Sequence, residues 1–199
     1  MQSQRISINA KDGGKFGAYL SLPPTGKGPG IVLIQEIFGV NQHIREVADQ
    51  YASDGFVVLA PDVFWRQEPG VDIAYDDAGF KKGFALMQGM DFPKAVQDLC
   101  SAAEALKARP EVSGKVASLG FCMGGMLSYQ VGSTLGAVDA SICYYGGGIH
   151  TALDRAPQVK VPMLMHFAEK DGFIPLEAVS QIKAAFESNH NVEIHTYPN

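Results

Sequence analysis

Apolar residues along this chain fall into short runs and spaced stripes that alternate from one end to the other. RISINA (5–10) and FGAYLSL (16–22) flank Asp12-Gly13-Gly14, the arrangement of an antiparallel hairpin. The Pro- and Gly-rich loop PPTGKGPG follows. IVLIQ (31–35) is an unbroken apolar run, which fits a strand buried on both faces. Ile44, Val47, Ala48, Tyr51 and Ala52 then recur at helical spacing, with Asn41 placed to cap that helix and Gly55 to stop it. FVVLAPD (56–62) is the next strand.

Residues 63–90 are rich in glycine, mixed in polarity and poorly periodic, so they read as a long excursion containing a short helix. Asp91 caps a helix whose Val96, Leu99, Ala103 and Leu106 share one face. KVASLG (115–120) is a strand and MGGMLSYQV opens a helix. VDASICYYG (138–146) and VPMLMHFAE (161–169) are two further strands. Leu176, Val179, Ile182 and Phe186 form another helical stripe, and VEIHTY (192–197) is a last strand. There is no internal repeat or low-complexity segment. Strand–helix units repeated after an initial hairpin imply one α/β domain over 1–199, with a mostly parallel sheet and helices on both faces.

Composition narrows the classes of function. Hydrophobic residues make up 46% and charged residues 19% of 199, as in a globular protein with room for a full core. The net charge of −5 and the lack of a basic tract argue against nucleic acid as a partner. The apolar runs are too short to span a bilayer, and MQSQRISINA has no signal-peptide core. Cys100, Cys122 and Cys143 are odd in number and lack metal-ligand spacing, so neither a disulfide framework nor a zinc site is expected. The expectation is a reduced cytoplasmic protein, monomeric or weakly dimeric, with no metal or cofactor.

One turn carries candidate chemistry. Gly120-Phe121-Cys122-Met123-Gly124 fits the pattern G-x-[SC]-x-G between a predicted strand and a predicted helix. On such an elbow the nucleophile adopts a strained backbone that lifts its side chain above the sheet. The residues two before and two after pass close to one another, which requires glycine. The following N–H points where an oxyanion forms, and the helix dipole is expected to lower the thiol pKa. The competing reading is a buried cysteine at a glycine-rich structural turn. Asp171, in EKDGFIP, follows a later strand as the acid of a triad does, though an Asp-Gly pair also makes an ordinary turn. Glu36, in QEIFGV, ends the strand before the first helix, where open α/β sheets bind ligands; a solvated loop carboxylate is its alternative.

QEIFGVN (35–41), APD (60–62), GFCMGG (120–125), YYG (144–146) and the Asp171-x-x-Ile174-Pro175 stretch together resemble the dienelactone hydrolase (carboxymethylenebutenolidase-like) family of the α/β-hydrolase fold, over nearly the whole chain. The resemblance implies hydrolysis of small activated esters or lactones, with Cys122 as nucleophile forming a thioester. It implies that Asp171 orients a triad histidine. It implies that Glu36 contacts the resting thiol and takes part in its activation, holding Cys122 protonated until substrate arrives. The N–H groups of Ile37 and Met123 would form the oxyanion hole, and Phe38 and Tyr145 would line the pocket.

Two departures from the family pattern stand out. Where members that take dienelactone place a carboxylate-binding arginine, this chain has Gly79-Phe80-Lys81-Lys82, which argues against dienelactone itself. The family's histidine follows a Tyr-Pro pair after the last strand, and here Tyr197-Pro198-Asn199 is the end of the sequence. The expectation is therefore a truncated chain, with the histidine loop and last helix beyond Asn199 and hydrolysis impaired. His195 sits inside a predicted strand and His166 reads as a structural histidine. His43 reads as solvated, and His150 and His190 as loop residues. Cys100 and Cys143 read as core. Two other classes stay open: an amidotransferase-like glyoxalase or protease, which also pairs a strand-end Glu with an elbow cysteine, and a non-catalytic binding domain.

Overall fold

The computed structural model describes residues 2–198. Its spine is one eight-stranded sheet in the order β1-β2-β4-β3-β5-β6-β7-β8. The strands are β1 (Gln2–Asn9), β2 (Lys15–Leu22), β3 (Gly28–Ile34), β4 (Val57–Pro61), β5 (Val112–Phe121), β6 (Ala140–Tyr144), β7 (Met163–Ala168) and β8 (Val192–Tyr197). β1 and β2 form the expected hairpin, β2 runs antiparallel to β4, and the other pairings are parallel. The helices are α1 (Gln42–Ser53), α2 (Asp77–Gln88), α3 (Phe92–Lys107), α4 (Met123–Gly132) and α5 (Leu176–Phe186). Among the described residues no helix is long and apolar enough to cross a membrane.

The unbroken apolar run of β3 follows from burial on both sides. Ile31 and Leu33 pack with Ile44, Ala48 and Ala52 of α1, while Val32 and Ile34 pack with Leu99, Ala103 and Leu127 of α3 and α4. Strand order reverses at β3: its successor β4 lies on one side and β5 on the other. The loops leaving the carboxyl ends of β3 and β5 therefore diverge from a shared crevice, the place where open α/β sheets bind ligands.

Local signals explain most helix ends. Asn41 accepts the Ile44 N–H at 3.1 Å and Asp91 accepts the Lys94 N–H at 3.0 Å, both as N-caps. Past α1, Gly55 at φ 105 closes a Schellman turn, with the Phe56 N–H on Tyr51 O and the Gly55 N–H on Ala52 O. The cap residue itself is Asp54, one before the predicted stop. β6 is shorter than the predicted 138–146, because Asp139 instead exchanges bonds with the Val116 backbone through its own N–H and its carboxylate.

The excursion is more ordered than its pattern suggested. Asp76 caps α2, a helix of 12 residues rather than a short one. Its buried positions are Gly79 and Gly83, so the inner face lacks the apolar stripe that periodicity detects. The start of the excursion is pinned by Asp98 of α3, which is 5% exposed. Asp98 receives Trp65 Nε1 at 2.8 Å and a two-pronged Arg66 guanidinium at 2.8 Å. Arg66 also reaches Asp12 in the hairpin turn at 2.7 Å.

Candidate active site

Cys122 occupies the single residue between β5 and α4, with φ 56 and ψ −120. That conformation is unfavourable for a residue with a Cβ and is held here by close packing. A Cβ at Gly120 would overlap the Gly124 carbonyl, and one at Gly124 would lie against the Ile34 and Gln35 carbonyls. A Cβ at Gly125 would come within 2.5 Å of Tyr144 O. The first turn of α4 is thus pressed onto the ends of β3, β5 and β6. Below it, the buried hydroxyls of Ser118, Ser128 and Ser141 form a closed ring with separations of 2.9–3.2 Å, tying α4 to two strands. The Cys122 N–H donates to Tyr144 O at 3.1 Å, and its carbonyl accepts from Gly125 and Met126.

The thiol is half-buried, and the groups around it oppose ionisation. Burial pushes its pKa up first, the Met123 N–H works in the other direction, and the charges of Glu36 and Asp171 raise it further. The expected lowering by the helix start is therefore corrected: the N–H contribution is present but is outweighed by desolvation and two carboxylates. Cys122 rests as a neutral thiol at pH 7. Cys100 and Cys143 are buried, as read, and burial pushes the Cys143 thiol up to about 12.

Glu36 leaves the end of β3 half-buried and is engaged by two tyrosines. Tyr75 donates its hydroxyl to Glu36 Oε2, and Tyr145 donates to Oε1 at 3.4 Å. Burial and the Glu36 carboxylate push the Tyr75 hydroxyl up, so it stays a donor. Tyr145, at φ 39, is the other non-glycine residue with a positive φ among those described. Phe38 packs its ring against Tyr75 at 4.4 Å between centroids. Sequence reasoning missed Tyr75, an isolated aromatic in the aperiodic segment IAYDDAG; only its contrast with polar neighbours could have marked it.

Asp171 lies in the turn after β7, where Oδ1 accepts the N–H groups of Phe173 at 2.7 Å and Ile174 at 3.1 Å. Turn residue and candidate acid are thus the same group. Beside it opens a cleft of about 320 Å³ whose walls include Tyr145, His166 and Tyr197. Ile37 and Met123 are buried, and Met123 begins α4, where the first N–H groups have no partner within the helix. A Cβ on Gly83 would overlap the Ile37 carbonyl, so α2 presses directly on the turn that carries the Ile37 amide.

None of the described histidines bonds Cys122 or Asp171. His195 lies in β8 with Nε2 2.7 Å from Glu193. His166 projects from β7, stacks on Tyr144 at 4.7 Å and shares a hydrogen bond of 2.8 Å with Tyr197. Burial and neighbouring His195 push its pKa down. His43 sets its edge against Tyr75, and His150 lies in a 3-10 segment (Ile149–Gln158) rather than a loop. Among the described residues no group of three or more His, Cys, Asp or Glu is placed to hold a metal ion.

The model of the dienelactone hydrolase family matches residues 16–199. A carboxymethylenebutenolidase of Pseudomonas sp. is 38% identical over 198 residues, covering 99% of this chain and 83% of the relative. Carboxymethylenebutenolidase 1 of Cupriavidus pinatubonensis is 36% identical over 199 residues, covering 100% and 85%. A solved dienelactone hydrolase-like promiscuous phosphotriesterase from metagenomic libraries superposes with a TM-score of 0.81 at 24% identity, covering 100% of this chain and 83% of that one.

Proposed function

This chain belongs to the dienelactone hydrolase family, and on that premise we propose that it hydrolyses small activated carboxylic esters or lactones through Cys122. As substrate binds, the Cys122 thiol passes its proton to Glu36, and the resulting thiolate attacks the carbonyl carbon while the N–H groups of Ile37 and Met123 receive the developing oxyanion. Collapse expels the alkoxide or enolate and leaves a thioester on Cys122. Water then adds to the thioester, loses its proton to a base and releases the carboxylate and the thiol. A thiolate suits enol-type and aryl leaving groups, which depart without strong protonation.

Two carboxylates take different parts. Glu36, held by Tyr75 and Tyr145, keeps the resting thiol protonated and shields it from oxidation. Substrate binding beside it excludes water and displaces that arrangement. Asp171 is placed to orient an imidazole base, for which the cleft of about 320 Å³ beside it has room. Without that base, acylation by activated esters outruns deacylation. Three unpaired cysteines suit a reducing compartment, so we place the enzyme in the cytoplasm, acting on small molecules as a monomer or weak dimer.

The observation that carries this reading is the strained Cys122 at the switch point of the sheet, faced by both carboxylates. Cys122→Ala tests it: hydrolysis of p-nitrophenyl acetate should fall to the rate without protein. Retained activity would remove the cysteine from the chemistry and favour a silent hydrolase fold.

A further inference from the structure

Three of the large apolar side chains left exposed form one cluster. Phe80 (40% exposed) stacks on Phe84 (39%) along α2 at 5.9 Å and reaches Phe173 (80%) at 6.2 Å. Both ends of this cluster belong to the site. The Phe173 N–H is held by Asp171 Oδ1, while Phe84 adjoins Gly83, which presses on the Ile37 carbonyl. The rings therefore bridge the acid turn and the turn that carries an oxyanion donor. Exposed aromatic surface of this kind, rimmed by polar groups, marks a place where something apolar binds.

The carboxylates nearby oppose an anionic occupant. Glu36 and Asp171 flank the thiol, and Asp76 and Asp77 open α2. Of the nearby cations, Lys82 pairs with Glu68 at 2.6 Å and Arg45 with Asp72 at 2.7 Å, while Lys81 and Lys170, the latter three residues before Phe173, make no ion pair among the described residues. Lys81 lies about 100° round the helix from Phe80. Near the acid turn, this helix presents two stacked phenyl rings.

We propose that Phe80, Phe84 and Phe173 form the subsite for an uncharged aryl or alkyl group of the substrate, so that the enzyme selects neutral apolar esters over acidic ones. The proposal rests on Cys122 being the nucleophile. An aryl group gains offset or edge-on contacts with the rings, and an alkyl chain gains burial against them.

First-turnover release of p-nitrophenolate tests it with acetyl, butyryl and hexanoyl esters, and with an ester matched to the hexanoyl in length but ending in a carboxylate. The acylation rate should rise by up to about fourfold per added methylene, the limit for full burial. The acidic ester should be at least about tenfold slower than its neutral match. The hexanoyl-to-acetyl ratio should drop in Phe80→Ala and Phe173→Ala and hold in Leu135→Ala, whose side chain is 90% exposed and outside the cluster. An unchanged ratio in both phenylalanine variants, or preference for the acidic ester, overturns the subsite. If no ester acylates Cys122, the nucleophile reading fails instead. The subsite is then decided by whether benzyl alcohol, and not benzoate, shields the thiol from iodoacetamide in the wild type and loses that effect in Phe173→Ala.

Discussion

Replacing Glu36 by glutamine removes one of the two negative charges facing the Cys122 thiol while leaving an oxygen to accept from Tyr75 and Tyr145. For unit charges about 6 Å apart at an effective dielectric of about 40, the interaction is roughly 1.4 kcal/mol, or about one pH unit in the thiol midpoint. Glu36 is only half-buried, so screening cuts this to about half a unit to one unit. The sign is fixed by the charge: a carboxylate disfavours the thiolate, so its removal lowers the midpoint. Burial is the larger cause of the raised pKa and is untouched, so the midpoint should stay above that of a free cysteine. The assay is the rate of iodoacetamide alkylation from about pH 6 to 11, with the adduct located by peptide mass. Cys100 and Cys143 are buried and serve as slow internal controls. A midpoint that stays put or moves up in Glu36→Gln would refute charge control of the resting thiol by this residue.

Further perturbations address the scaffold. Gly124→Ala drives a methyl group into the Ile34 and Gln35 carbonyls and should cost about 2–3 kcal/mol in urea unfolding, with slower Cys122 alkylation. Asp98→Ala leaves Trp65 Nε1 and part of the Arg66 guanidinium unpaired; the loss should be about 2 kcal/mol, because Arg66 keeps Asp12 and some solvent. Folding stability should fall as pH rises above about 8.5, by up to about 1.4 kcal/mol per pH unit from Cys143. There the unfolded thiol loses its proton while the folded one, with its pKa pushed up to about 12, keeps it. Cys143→Ala should flatten this alkaline loss in denaturant midpoints measured at pH 7 and near pH 9.5.

Elements defined by burial or by a cap are legible in the sequence. The run 31–35 reads as a strand because both its faces are covered, and Asn41 and Asp91 announce their helices because they do cap them. The elbow was legible because two glycines two positions either side of Cys122 have a geometric reason to be there. The full length of α2 is not legible because glycine, not leucine or valine, fills its buried face. The direction of the thiol pKa was misread because a helix start is visible in sequence, whereas burial and the convergence of Glu36 and Asp171 are products of the fold. Tyr75 was invisible for the same reason: it meets Glu36 from a loop far along the chain.

The chemistry proposed for Cys122 is tested most directly by intact-protein mass spectrometry after brief mixing with p-nitrophenyl acetate. One acetyl group should accumulate per chain, mapped by peptide mass to Cys122 and absent in Cys122→Ala. Rapid release of p-nitrophenolate with no adduct on Cys122, or with an adduct on another residue, would contradict it.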